Sequence, residues 1–131
     1  MATYNKFQTG IEGLLEGVNA GTDSWVIKLA TAVDATLGTI TEVANGNGYS
    51  TGGNSAGVNS TPTQSGGTYT LTLSNPAVWN ATGAGFSFRY AVLTDSTSGT
   101  NVAYWDYGSS QTVASGETVT VTFPGAVFTA T

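Results

Sequence analysis

The chain has 131 residues, with no cysteine and no histidine, and its eight acids and three bases give a net charge of −5. That length suits a single domain, and the two missing residue types exclude disulfide frameworks, thiolate zinc sites, thiol nucleophiles and imidazole bases. Charged residues are 8% of the chain, against roughly 25% in an average soluble domain. Three scattered cations (Lys6, Lys28, Arg89) cannot neutralise a phosphate backbone or an anionic bilayer, so neither nucleic acid nor membrane is expected as a partner, and no cofactor or metal is expected.

In chain order, residues 4–18 read as the one convincing helix. Tyr4, Phe7, Ile11, Leu14, Leu15 and Val18 fall within about a 100° arc at helical spacing. Gly10, Gly13 and Gly17 gather beside that stripe, and each costs roughly 1 kcal/mol relative to Ala. Two readings follow: a poor helix that survives by docking on its own domain, or a glycine edge that admits a neighbouring chain. Asn19-Ala20-Gly21 supplies the stop. Residues 1–22 are therefore expected to form an amino-terminal helix or arm, and 23–131 a single β domain.

From residue 23 onward the pattern is strands and turns. Trp25, Ile27 and Leu29 alternate with Ser24, Val26 and Lys28, and a second candidate strand runs from 37 to 43. Asn45 to Asn54 carries four Gly and three Asn in ten positions and reads as turns, without the acids of a calcium loop or the Gly-Lys-Ser/Thr of a phosphate loop. A ragged edge strand is expected around 56–58. Tyr69, Leu71 and Leu73 alternate with threonines, as do Val119, Val121 and Phe123, the signature of a sheet with one wet face. Between them, Phe86 to Leu93 and Val102 to Tyr107 form a hairpin around the turn 95–101. Six or more short strands without a βαβ rhythm predict a mainly β protein, an antiparallel β-sandwich or jelly roll with one amino-terminal α-helix.

The apolar runs Trp25-Val26-Ile27 and Tyr90 to Leu93 are far short of the ~20 residues of a membrane span. Met-Ala-Thr-Tyr-Asn-Lys-Phe has no apolar stretch of a secretory signal. Yet 23 Thr and 18 Gly make a surface that reads as an exterior one. A particle assembled in a host cytoplasm and released by lysis reconciles the two. The sequons Asn59-Ser60-Thr61 and Asn80-Ala81-Thr82 then carry no consequence. For catalysis the only acid–base pair on offer is Glu42 with Asp106, as in glycoside hydrolysis. Solvated or hydrogen-bonded carboxylates are the simpler reading. Trp25, Trp79 and Trp105, with Tyr104 and Tyr107, are candidates for core, for an interface, or for a sugar-stacking platform. Tyr104 and Trp105 point to opposite faces of a strand, so at most one of them fills the core.

Several stretches together resemble a family of small structural proteins of tailed bacteriophage particles. Tyr4-Asn5-Lys6-Phe7 leads the helix, and Asn47-Gly48-Tyr49-Ser50-Thr51-Gly52-Gly53 is similar to that family's Gly-Asn-Gly-Tyr-x-x-Gly-Gly signature. Phe88 to Leu93, Trp105-Asp106-Tyr107-Gly108-Ser109-Ser110 and Gly116 to Val121 are similar to its carboxy-terminal hairpin signatures. The chain departs from the family in being short and poor in Lys, with Gly-rich replacements in its helix. The resemblance implies a non-enzymatic virion protein, a capsid decoration (cement) protein on the outer surface of the shell, stabilising it. Its implied partner is the major capsid protein, and such proteins are often homotrimers. The family brings no catalytic residues. Tyr4, Phe7, Ile11, Leu14 and Trp105 are the expected interface residues. The alternatives are a tail or head-fibre component that contacts the host, or a carbohydrate-binding module using Trp79 or Trp105.

Overall fold

A computed structural model describes residues 2–123 and 125–130. In chain order its elements are β1 (Thr3–Lys6), α1 (Gln8–Glu16), β2 (Trp25–Asp34), β3 (Thr39–Glu42), β4 (Asn54–Gly57), β5 (Gln64–Ser65), β6 (Thr68–Thr72), β7 (Ala77–Asn80), β8 (Phe86–Asp95), β9 (Thr100–Val113), β10 (Thr118–Val121) and β11 (Ala126–Ala130).

The expected antiparallel sandwich forms. The main sheet runs β1-β9-β8-β2-β3, with β4 also paired to β2. Two small sheets, β10-β7 and β11-β6-β5, face it. Alternation decides which side chains enter the core: Trp25, Ile27 and Leu29 of β2 are fully buried, as are Ala91 and Leu93 of β8. Leu71, Leu73, Ala77 and Trp79 meet them from the other side. Trp25 and Trp79 bury their indole N–H groups without an acceptor among the described residues; burial of the two rings outweighs that polar cost. On the outer face of the main sheet a smaller cluster forms around Phe7, Ala30 and Val92, flanked by Tyr90 and Tyr104. Trp105 packs on the inner side, so Tyr104 and Trp105 divide between the faces as strand periodicity requires.

The amino-terminal segment differs from the expected helix over 4–18. Residues 3–6 are a strand, paired to β9 with Tyr4 opposite Trp105, and the helix spans only Gln8–Glu16. The reason is a competing partner: the Tyr4 ring meets the Trp105 ring edge-on at 5.7 Å, a contact that a helical Tyr4 could not make. The expected arm 1–22 thus contributes a strand to the main sheet, and Phe7 is fully buried against it.

The helix itself has no side-chain cap at Phe7 and no favourable charge in its first or last turn, so packing must hold it. Its glycine edge supplies the packing. A Cβ on Gly10 would lie 2.7 Å from the Val102 carbonyl oxygen, and one on Gly13 would lie 2.6 Å from Thr100 Cγ2. Gly10 and Gly13 therefore admit the chain's own β9. Gly10→Ala is expected to lose about 1–3 kcal/mol in urea denaturation by forcing α1 off β9. Gly17, with nothing nearer than 3.7 Å, should gain about 0.4–1 kcal/mol as Gly17→Ala.

Candidate functional site

The chemistry-bearing side chains are mostly consumed by the fold. In the Asn47–Gly53 loop, Tyr49 drops into the core, stacked on Trp79 at 6.2 Å. Its hydroxyl accepts the Leu29 N–H at 3.0 Å and donates to the Glu42 carboxylate at 2.6 Å. The same Glu42 oxygen accepts the Gly52 N–H. Burial first, and then the Glu42 hydrogen bond, push the Tyr49 hydroxyl far above its ordinary pKa. Gly53, at φ +76 with the Ile27 carbonyl directly beside it, completes the turn where no side chain fits. The loop is a structural plug, as its turn-like composition suggested.

Asp106 is tied to Arg89 by two parallel hydrogen bonds of 2.8 and 3.0 Å, and accepts the Gly108 N–H. Arg89 first, and Gly108 after it, hold the Asp106 carboxyl below its usual range. Glu42, Ala30, Tyr90 and Asp106 occupy one cross-strand row. The Glu42 and Asp106 backbones therefore stand three strand spacings apart, about 14 Å. Each carboxylate is held by its own neighbours, Glu42 by Tyr49 and Gly52 and Asp106 by Arg89 and Gly108. The two carboxylates that the sequence offered as an acid–base candidate are hydrogen-bonded apart from each other. Asn59, the first sequon asparagine, is 4% exposed, donates to Thr70 O and Tyr69 Oη and accepts from Thr61 and Thr72 N–H. Among the described residues no cluster of three potential metal-ligating side chains occurs, and no helix is long and apolar enough to cross a membrane.

Among the described residues Asp95 is the one fully buried carboxylate. It shapes the β8–β9 turn by accepting from Thr97 N–H and Ser98 Oγ–H. Burial pushes its carboxyl above the ordinary range; Ser98 opposes this, the neighbouring Asp23 carboxyl adds to it, and the Thr97 N–H opposes it.

The expected interface residues separate into two groups. Phe7 is 0% exposed, packed on Tyr104 at 5.0 Å, so it cannot touch a partner; it belongs to the satellite core because the chain turns inward between β1 and α1. Trp79, one of the two proposed sugar platforms, is sealed in the core. Tyr4, Ile11 and Leu14 do come together. With Lys6, Leu15, Ala20, Tyr69, Val102 and residues 128–130 they line an apolar cavity of about 430 Å³. A second cavity of about 840 Å³ continues on the other side of Tyr4, lined by Trp105, Tyr107, Phe123 and Val127 among others. The half-buried Trp105 ring sits between Tyr4 and Phe123, at 5.7 and 6.2 Å.

The two cavities form a seam between β1, an edge of the main sheet, and β11, an edge of the facing sheet. The helix roofs one end. Because Gly10 and Gly13 point into β9, the aliphatic stripe rotates outward, leaving Ile11 49% and Leu15 84% exposed. Leu15 was on the sequence stripe but not among the expected interface residues. Phe128 was not legible, because β11 carries no clear alternation. Comparison with family models, curated proteins and solved structures finds no match to the chain.

Tyr49→Phe, which orphans the buried Leu29 N–H and takes one of two donors from Glu42, should cost about 1–3 kcal/mol by urea denaturation. For Asp95, the folded pKa lies above the ordinary 3.8. Its contribution to stability is therefore fully present below that value and is lost as pH rises through the raised one. Urea midpoints across about pH 3 to 7 should show wild type losing ground to Asp95→Asn as pH increases.

Proposed function

We propose that the chain is a non-enzymatic structural protein of a tailed-bacteriophage particle: a capsid decoration (cement) protein that binds the major capsid protein on the outside of the shell and stabilises it, with copies grouped as homotrimers. The observation that carries this reading is the seam. A helix braced on its glycine edge turns Ile11 and Leu15 to solvent beside an apolar cavity, while the carboxylates that could serve chemistry are tied into turns and ladders. Such a body is built to adhere. The motif resemblance supplies the particle, and the threonine-rich, acidic exterior is consistent with an outer surface.

Covering the nearly free Leu15 stabilises a contact by up to about 1.5–3 kcal/mol, and covering the half-exposed Ile11 by about half as much. Contacts of that size become strong when repeated across a shell in which each copy bridges several subunits. Deleting residues 1–18 would be a poor test, since it removes a sheet strand and Phe7. The sharper variant is Ile11→Asp with Leu15→Asp, both at exposed positions. Its melting temperature should stay within a few degrees of wild type. Its binding to shells of the cognate major capsid protein, measured by co-sedimentation, should fall more than about 100-fold. Undiminished binding would remove the seam from the docking surface.

A further inference from the structure

The backbone of β1 adds a second kind of recognition to the apolar seam. In the antiparallel pair with β9, Phe7 N–H donates to Val102 O at 3.1 Å, and the register places Thr3, Asn5 and Phe7 opposite Asp106, Tyr104 and Val102. Ladder geometry alternates, so the odd-numbered residues of β1 spend their N–H and C=O groups on β9. The N–H and C=O groups of Tyr4 and Lys6 point the other way, off the sheet edge. These are the two β1 residues that line the 430 Å³ cavity. A free backbone edge and a row of apolar recesses therefore coincide at one place, and that combination is what strand addition needs.

We propose that an extended segment of the coat subunit, apolar at alternate positions and bearing one carboxylate, adds to β1 along this seam. It would hydrogen bond to the main chain of Tyr4 and Lys6, seat its apolar side chains between Leu14, Leu15 and Phe128, and set its carboxylate against Lys6. The inference rests on the decoration reading and specifies the form of the partner at that same site. The four residues of β1 span about 13 Å, so four or five residues of the incoming chain suffice.

Charge distinguishes this occupant from a second copy. Among the described residues, Lys6 is the only formally charged one lining either cavity, and it makes no ion pair with any of them. The edge strands that another copy could offer carry no spare acid. β1, β4, β5, β7, β10 and β11 have none. The single acid of β3, Glu42, already accepts from Tyr49 and Gly52. A strand from this chain would leave Lys6 uncompensated, and two chains of net charge −5 gain nothing from long-range attraction.

Proline tests the backbone separately from the side chain. Lys6→Pro removes an N–H that points off the sheet, whereas Asn5→Pro removes one that β9 uses. Lys6→Pro should therefore melt close to Lys6→Ala, and Asn5→Pro well below both. In co-sedimentation with shells of the cognate major capsid protein, Lys6→Ala is expected to bind within about threefold to tenfold of wild type, as an exposed charge pair predicts. Lys6→Pro should bind at least tenfold more weakly than Lys6→Ala. Amide hydrogen exchange gives a readout that needs no variant: the Tyr4 and Lys6 amides should exchange readily in the free protein and slow at least 100-fold on shells. Equal binding by Lys6→Pro and Lys6→Ala, or unchanged exchange at both amides in the complex, would overturn strand addition while leaving decoration standing. Self-association of the free protein, abolished by Lys6→Pro and kept by Lys6→Ala in sedimentation velocity, would overturn the assigned occupant in favour of a second copy. Failure of the wild type itself to bind shells overturns the decoration reading, and the inference with it.

Discussion

The structure turns on how closely α1 approaches β9. Gly10 and Gly13 place the helix backbone against the Val102 carbonyl and the Thr100 side chain at distances that leave no room for a Cβ. An ordinary amphipathic helix buries its aliphatic stripe and exposes its polar face. Here close packing at the glycine edge fixes the rotation of the helix, and only part of the stripe reaches the core: Leu14 packs against it, while Leu15 stands almost free. The same approach positions β1, because Phe7 between them must reach the pocket formed by Ala30, Val92 and Tyr104. Exposed apolar surface at one end of the seam is thus a consequence of helix docking and not a packing defect.

The loop and hairpin motifs among those that carry the family resemblance turn out to be devices of the fold. Tyr49 joins the loop 47–53 to β2 through the Leu29 N–H and to β3 through Glu42, filling the core beside Trp79 and Phe86. The Phe88–Leu93 and Trp105–Ser110 motifs face each other in the β8–β9 hairpin, joined by the Arg89–Asp106 fork at a bulge between Phe88 and Tyr90. Glu117 accepts the Ala81 N–H through its carbonyl as the chain enters β10. Residues committed in this way are poor candidates for a partner. Outside these loop and hairpin motifs, the apolar surface left open lies along β1, α1 and β11.

Most of the sandwich was legible because its strands obey period-two burial. Trp25, Ile27 and Leu29, and again Leu71 and Leu73, enter the core as their alternation requires. The amino terminus was misread for a physical reason: Tyr4 and Phe7, three apart, satisfy a helical stripe equally well as a strand residue and a buried cap. Only tertiary pairing with Trp105 decides between them. The strands β7 and β11 were missed as well. β7 is four residues long after a proline, and β11, Ala-Val-Phe-Thr-Ala, pairs with β6 through a register shift, so neither shows a sustained period. The seam depends on β11 for one wall, and hence the proposed docking surface was less legible than the fold that supports it.

A chain with 8% charged residues has few ways to recognise a partner strongly. Exposed ion pairs are individually weak in water, and most of its carboxylates within reach of donors already serve turns or ladders. What remains plentiful is backbone and hydroxyl, and along the seam backbone lies next to apolar side chains. A free strand edge gives direction and register through main-chain hydrogen bonds, while the recesses on either side of Tyr4 select alternate side chains. Neither element alone suffices. An edge without apolar recesses would pair with any extended chain, and a recess without an edge would hold an apolar side chain in no fixed orientation. In the proposed mode of docking, with both present, Lys6 needs to contribute only a preference for a carboxylate, a role that one uncompensated cation can fill in an otherwise acidic protein.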